Sequence, residues 1–417
     1  MSRLLRVLAV SPHFPPVNAA DHHRLRTALP YVRDLGIEMH VLAVDPRDVE
    51  GQPIDPFLEE TLPTDVPVTR VRAIPAGITR CVGVGNVALR SLLQLHRAAT
   101  RLIRTQKFDL AFFTSTQFAC FGLAPVWRRL YGLRYVLDFQ DPWINPHYRR
   151  SGTRPPGGWK FGLVSALNRL VQRPTIRHAS GIIRVSEAYR FRGRRCPVST
   201  IPFGVAESDV ERVRAELVPR NDGLVRWVAV GRGGQDLWPS LEPFFSALKA
   251  ARDAFPERFA NLRVEFHGTS YAPRGRGVAT IRPLADRHGV GDLVEEFTDR
   301  IGYREALERQ LSADALLLPT SSDAAYVPSK LAGLLMARRP LLTLAAADSP
   351  IAGRVRELGA DLVLSREMSA PVSMEVLTRL LNGETSAVSD EALQGMSARA
   401  STERLASFLH LVAEATE

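Results

Sequence analysis

The chain has 417 residues, too many for one typical core and suited to two domains of about 200 residues each. Its 45% hydrophobic and 24% charged residues are those of a soluble globular protein, and no run reaches the roughly 18 apolar residues needed to cross a bilayer, which excludes a helical membrane protein. A formal net charge of +10 suits anionic ligands, an acidic membrane surface or nucleic acid without choosing among them, while three scattered cysteines, Cys81, Cys120 and Cys196, exclude a disulfide framework and point to a reducing cytoplasm.

The apolar run Leu4–Val10 predicts a buried first strand and is too short for a signal segment. A shaped loop with two prolines follows, then a helix over Arg24–Leu35 stopped by Gly36, and a second strand over Met39–Val44. This is a βαβ opening without GxGxxG, so a dinucleotide site is not expected. His13, Asn18, Asp21, His22, His23 and Arg24 lie on or beside the loop at the strand's C-terminal end, where open α/β sheets place their sites. Three histidines in eleven residues raise zinc, but they lack a rigid ligand spacing, and no metal is expected.

Val68–Arg72 predicts a third strand. Val84–Gln106 predicts a long helix with Leu89, Leu92, Leu93 and Leu95 as its apolar side and Arg90, Arg97, Arg101 and Arg104 as basic groups. Strand Leu110–Phe113, helix Phe118–Leu130 and strand Arg134–Leu137 lead to Asp138-Phe139-Gln140-Asp141-Pro142-Trp143. There two carboxylates could orient sugar hydroxyls and Trp143 could stack on a ring face; Asp141-Pro142 is equally a good helix start. Residues 145–159 read as a Pro/Gly-rich flap. Helix Phe161–Arg177 and strand Gly181–Val185 belong to a run, Arg169–Arg195, with eight arginines and one acid, Glu187. The run matches no known nucleic-acid-binding module, so nucleic acid is not expected, and an anionic membrane is the candidate surface.

A second series begins with strand Arg226–Val230 and the loop Gly231-Arg232-Gly233-Gly234-Gln235-Asp236. Its glycines let backbone close on a ligand and Arg232 can clamp phosphate oxygens. Strand Leu262–His267 precedes a basic, glycine-rich loop with Arg274 and Arg276. Strand Ala315–Pro319 leads to Ala325–Pro340, AYVPSKLAGLLMARRP, where Pro328 and Ser329 predict a helix start. Lys330 in that first turn opposes the helix dipole unless an anion sits beside it.

This last stretch resembles the donor segment of nucleotide-sugar glycosyltransferases of the GT-B kind, especially the retaining family-4 group, whose pattern is close to PSKLxEYLAAGRPVL. Further matches are Phe14-Pro15-Pro16 with Arg24 to an entrance loop FPPxxGGxxxR, Asp138–Trp143 to DxRDxW, Pro202–Val205 to IPNGVD, and Gly231-Arg232 to GRLxxxKG. The departures are Gly333 and Ala325 where the family usually has glutamates, Gln140 for an arginine, and Leu237 at the loop lysine.

The resemblance implies an α/β chain of two Rossmann-like doubly wound domains facing across a cleft. We place them at 1–205 and 224–395, with a linker at 206–223 and a last helix, 396–417, crossing back to the first. It implies transfer of a sugar from a nucleoside-diphosphate sugar to a hydroxyl acceptor with retention, and no tightly bound cofactor. Arg232, Lys330, Asp141 and His13 are the catalytic candidates. Gly231, Gly233, Gly234, Arg274, Tyr326, Val327 and Ser329 are the donor-side candidates. Asn18, Asp21, Arg24, Asp138 and Trp143 are the acceptor-side candidates. The acceptor is a small molecule or a lipid-linked one, the latter at the inner membrane face. Two rivals remain: a pseudo-glycosyltransferase joining an activated cyclitol to an amine, and a non-catalytic nucleotide- or glycan-binding partner subunit.

Overall fold

The computed structural model describes residues 3–79, 84–144, 159–187, 189–191, 193–321, 330–360, 362–384 and 388–415, with the backbone alone for 159–165 and 167. The chain divides into two compact units, Met1–Gly204 with Ala398–Glu417, and Val205–Ser397.

The first unit has seven strands: β1 Leu5–Val10, β2 Ile37–Val44, β3 Val68–Val71, β4 Leu110–Thr114, β5 Arg134–Phe139, β6 Gly181–Arg184 and β7 Val198–Thr200. They form one sheet in the order β3-β2-β1-β4-β5-β6-β7, and every pairing is parallel. Successive side chains of a strand point to opposite faces. Leu8, Val10, Ala111 and Phe113 therefore enter one core with helices Val87–Thr105 and Leu123–Tyr131, while Val7, Ala9 and Phe112 enter another with helices His23–Val32 and Ala398–Glu414. Burial on both faces explains why β1 reads as an apolar run broken only by Arg6.

The last helix is fitted closely to this unit. A Cβ on Gly181 would lie 2.7 Å from Val412 Cγ2, so only glycine leaves room for it. Arg134 donates to the carbonyls of Val412, Ala413 and Ala415 at the helix C-terminus, where cations are favoured.

The second unit repeats the plan with β8 Val225–Val230, β9 Leu262–His267, β10 Val294–Phe297, β11 Ala315–Pro319, β12 Leu341–Leu344 and β13 Val363–Leu364, in the order β10-β9-β8-β11-β12-β13, again all parallel. Its core joins Trp227, Phe266 and Leu317 to Leu241, Phe244 and Phe245 of helix Trp238–Ala254. The stretch 206–223, expected as a linker, carries helix Glu207–Glu216 within this unit.

Two local expectations are corrected. Residues 118–130 are not one helix: a 3-10 turn, Phe118–Gly122, precedes helix Leu123–Tyr131. Leu89 and Leu93 do not face the core. Arg90 occupies the buried side instead, donating to the carbonyls of Ile74 and Asp48 at 2.7 Å each, and the buried stripe runs through Val87, Ser91, Leu95 and Ala99.

In both sheets the strand order reverses at the first strand. β1 pairs with β2 and β4, and β8 pairs with β9 and β11. The crevices above the C-terminal ends of β1/β4 and β8/β11 are thus topological switch points, where such sheets hold ligands.

Candidate functional site

At the β1/β4 switch point, the loop after β1 folds His13 back onto Asp21. His13 Nδ1 lies 2.9 Å from Asp21 Oδ1, both residues buried. The other carboxylate oxygen accepts from Ser115 Oγ at 2.6 Å, Thr116 N at 3.2 Å and Thr116 Oγ1 at 3.3 Å, all just beyond β4. Burial works to raise the Asp21 carboxyl, but His13 and the Ser115 hydroxyl outweigh it and hold it well below the usual carboxylate range. An ionised Asp21 accepts a proton-bearing Nδ1, which fixes the His13 tautomer and leaves Nε2 as the ring's basic nitrogen. Asp141 is exposed. The protein packed around it and the Asp21 charge push its carboxyl above the ordinary value.

Beneath this pair lies a second buried carboxylate. Asp138 Oδ2 accepts from Arg24 Nε at 2.8 Å, Thr114 Oγ1 at 2.8 Å and Gln140 Nε2 at 3.2 Å, and its Oδ1 is buried without a partner. Arg24 also donates to Ile201 O at 2.6 Å and lies over the Phe203 ring, so the guanidinium is spent on protein groups. Gln140 Nε2 lies 2.8 Å from Asp21 O and 2.9 Å from Thr114 Oγ1, tying the two carboxylates' surroundings together. His22 is buried, bonded through Nε2 to Val17 O at 2.7 Å, and desolvation lowers its pKa to about 4, so it is neutral at physiological pH. Trp143 is buried against protein rings, stacked on Phe118 at 5.5 Å and beside Phe121 and Phe139.

At the β8/β11 switch point the chemistry is cationic. Lys330 Nζ donates to Val230 O, the last carbonyl of β8, at 2.9 Å. Gly231 makes this possible: a Cβ there would fall 1.5 Å from Nζ, and its φ of 137° disfavours any other residue. Although Lys330 is exposed as a residue, its ammonium end lies close over the strand end. Desolvation there, with Arg232 and Arg300 nearby, lowers its pKa to about 8. The reading that put Lys330 inside a helix turn shifts by one position: it is the N-cap of helix Leu331–Met336.

Arg232 forms a two-bond pair with Asp236, at 2.9 and 2.7 Å, which holds that carboxyl below its usual range. Gly233 N donates to Thr269 O at 2.8 Å, and Gly234 adopts φ 138°. Glu296 organises the neighbouring loop, accepting from Thr269 Oγ1 at 2.7 Å and from the backbone of Thr280, Ile281 and Arg282 at 3.0, 2.8 and 2.7 Å. Arg274 is almost wholly exposed, with Asp299 4.0 Å away. Tyr326, Val327 and Ser329 lie outside the described residues.

The structure thus brings His13, Asp21, Arg24 and Asp138 together in the first unit, with Asn18 buried on the same loop, and Gly231, Arg232, Gly233, Gly234 and Lys330 together in the second. Ser115, Thr116, Glu296 and Asp236 were not singled out as site residues by sequence reasoning, although Asp236 sits four residues from Arg232 on a turn where pairing is readable. Among the described residues no His, Cys, Asp and Glu cluster could hold a metal ion, and no helix is long and apolar enough to cross a membrane.

No protein-family model matches the chain. No curated protein matches it either. Solved structures do. A UDP-forming alpha,alpha-trehalose-phosphate synthase from Burkholderia vietnamiensis aligns with TM-score 0.59 at 12% identity over 100% of both chains. UDP-GlcNAc 2-epimerase from Methanocaldococcus jannaschii aligns with TM-score 0.54 at 12% identity, covering 98% of this chain and 100% of its own. A structure described as trehalose-6-phosphate from E. coli bound with UDP-2-fluoro glucose aligns with TM-score 0.56 at 12% identity over 99% of each chain. The fold is the GT-B fold, two Rossmann-like α/β domains.

Proposed function

We infer that the chain transfers a glycosyl group from a nucleoside-diphosphate sugar to a hydroxyl acceptor, with retention at the anomeric carbon. One observation carries the donor half: the Lys330 ammonium rests on the end of β8 in space that Gly231 alone leaves open, at a switch point. A diphosphate leaving group needs positive charge where its negative charge grows. Lys330 supplies it without a metal, and backbone N–H groups of the glycine loop assist. Arg232 joins them when a phosphate displaces Asp236, since either anion satisfies the same guanidinium fork. Solved structures of the same fold whose names include UDP-sugars support this reading.

In the first unit, His13 meets the acceptor. Asp21 holds its Nδ1, and Nε2 orients the acceptor hydroxyl or takes its proton as the new C–O bond forms and the old bond to phosphate breaks. Asp141 lies at the solvent side to orient further hydroxyls. The test is a screen of sugar and cyclitol nucleotides for donor hydrolysis and transfer, with the anomeric configuration of any product read by NMR. Coupling of a cyclitol to an amine would replace this reading by the pseudo-glycosyltransferase one.

A second reading has its own observation. Arg232 is already neutralised by Asp236, and Gly333 stands where the family carries an acid. Both favour a non-catalytic nucleotide binder. Nucleotide binding by calorimetry, with no product from any donor, would select it.

A further inference from the structure

The helices covering one face of the first sheet carry a charge pattern unlike that of the longer helices of the second unit. Val87–Thr105, Leu123–Tyr131 and Trp159–Arg177 pack as neighbours on that face. Trp127 Nε1 donates to His96 at 3.1 Å, Thr100 and Tyr131 hydroxyls meet at 3.0 Å, and a Cβ on Gly122 would lie 3.0 Å from Val171. None of the three contains an aspartate or a glutamate, and together they hold ten lysines and arginines.

Overall arginine richness does not account for this. Every helix of eight or more residues in the second unit carries at least one carboxylate, and several of its arginines pair with one, as in Arg304 with Glu308 and Glu216, Arg309 with Glu305, and Arg354 with Glu357. In the first-unit layer, Arg97, Arg101, Arg129, Arg169, Arg173 and Arg177 are exposed, and none has a carboxylate partner among the described residues. Unpaired, like-charged arginines on one layer repel one another, a cost that an external anionic surface removes.

The same layer exposes large apolar side chains. Leu89, Leu93, Val126, Leu130, Leu170 and Val171 face solvent, Leu170 with 70% of its surface and Leu130 with 56%. Charge alone would suit nucleic acid, but protruding leucines and valines offer nothing to a phosphate backbone or a base edge. Arginines interspersed with exposed leucines on surface-lying helices are the pattern of an interface with lipid, where cations meet headgroups and apolar groups enter the acyl boundary.

We propose that this helical layer docks the protein on an anionic lipid bilayer. The surface lies wholly within the first unit, and the proposal does not rest on the glycosyl-transfer reading. Binding draws on both components, so it weakens with salt as the arginine attraction is screened, and it weakens when the leucines are made polar at constant charge.

The experiment is co-sedimentation of the full chain with vesicles of equal parts phosphatidylcholine and phosphatidylglycerol, beside pure phosphatidylcholine. The expected result is binding to the mixed vesicles at low salt, reduced at about 0.15 M salt, and little binding to the neutral ones. The variant R97E/R101E/R129E should lose binding by about tenfold or more. Leu130→Ser with Leu170→Ser, which leaves net charge unchanged, should lose it severalfold. All five positions are exposed, and circular dichroism confirms each fold. Absence of binding to the mixed vesicles at low salt overturns the proposal. So does wild-type binding by the arginine variant or by the leucine variant. Displacement from vesicles by duplex DNA, with the arginine variant losing DNA as well, would assign the layer to nucleic acid instead.

Discussion

The two units use the same topology for opposite chemistry. At the β1/β4 switch point, two carboxylates are buried and bonded to protein: Asp21 to His13, Ser115 and Thr116, and Asp138 through one oxygen to Arg24, Thr114 and Gln140. At the β8/β11 switch point, glycines and cations meet, and the partly exposed Asp236 pairs with Arg232. Strand order fixes where a ligand site sits, while the loop residues decide whether it is rigid and anionic or open and cationic. A buried polar network specifies one conformation because each member is costly to leave unpaired. An open cationic loop keeps its charge for a ligand. Substitutions in the first site should therefore register in stability, and those in the second in function.

The largest expected effect breaks the first network. Asp138→Ala leaves the buried Arg24 guanidinium without its anion, and such losses cost about 3–5 kcal/mol. Hydrogen exchange at the amides of β4 and β5 reads it directly. A loss below about 1 kcal/mol would mean that the network does not hold the unit together.

The second unit should respond in the other way. Lys330→Ala is expected to cut kcat/KM about 10²- to 10³-fold with a nucleotide-sugar donor, while stability changes by no more than about 0.5 kcal/mol. Gly231→Ala should reproduce the functional loss, because its Cβ would take the position of the ammonium. Full turnover in both variants removes Lys330 from the chemistry. The ammonium titrates near 8, so UDP affinity should fall as pH rises through that value, and binding above it should take up a proton. A flat profile measured by calorimetry in two buffers of different ionisation heat would contradict it.

A third test separates the sites by acid. His22 is buried neutral with its pKa depressed to about 4, whereas an unfolded chain protonates its histidines near 6.5. A depressed folded-state value gives stability that is full above about 6.5 and lost as pH falls toward 4. His22 alone accounts for about 3 kcal/mol of that loss. His22→Gln should flatten the acid limb of first-unit stability, followed by the same exchange amides, and leave the second unit's limb unchanged.

Much of the fold was legible because buried parallel strands are written as near-continuous apolar runs, as in Leu5–Val10, broken only by Arg6, and Ala315–Pro319. Helix limits were less so: nothing in the pattern shows that Arg90 would turn inward to two backbone carbonyls and send Leu89 and Leu93 to the surface. The site residues show the same divide. Lys330 and Gly231 each carried a local signal, a cation at a helix start and a glycine after a strand. That one occupies the other's missing Cβ depends on β8 and β11 lying side by side. Ser115 and Thr116 meet Asp21 across more than ninety residues, by way of the β1/β4 pairing. Ser115-Thr116 had no local signal of its own, so only tertiary structure could supply it.

The smallest effect concerns the acid that the family pattern leads one to expect at Gly333. Within 4 Å of a Cβ placed there, the described structure has no atom, so a larger side chain is not excluded by crowding. The position is in the first turn of helix Leu331–Met336, where a carboxylate complements the dipole and where glycine costs about 1 kcal/mol against a good helix former. Gly333→Glu should therefore stabilise this helix slightly. If a nucleotide ribose lies nearby, it should also tighten UDP by about 1 kcal/mol through a hydrogen bond, roughly fivefold. The same carboxylate stands three residues from Lys330 and could instead pair with it, as Asp236 does with Arg232. The two outcomes have opposite signs in a calorimetric titration with UDP. Tighter binding would show that the second site lacks only a ribose contact. Weaker binding, with the helix still stabilised, would show that a free Lys330 ammonium is what the open site preserves.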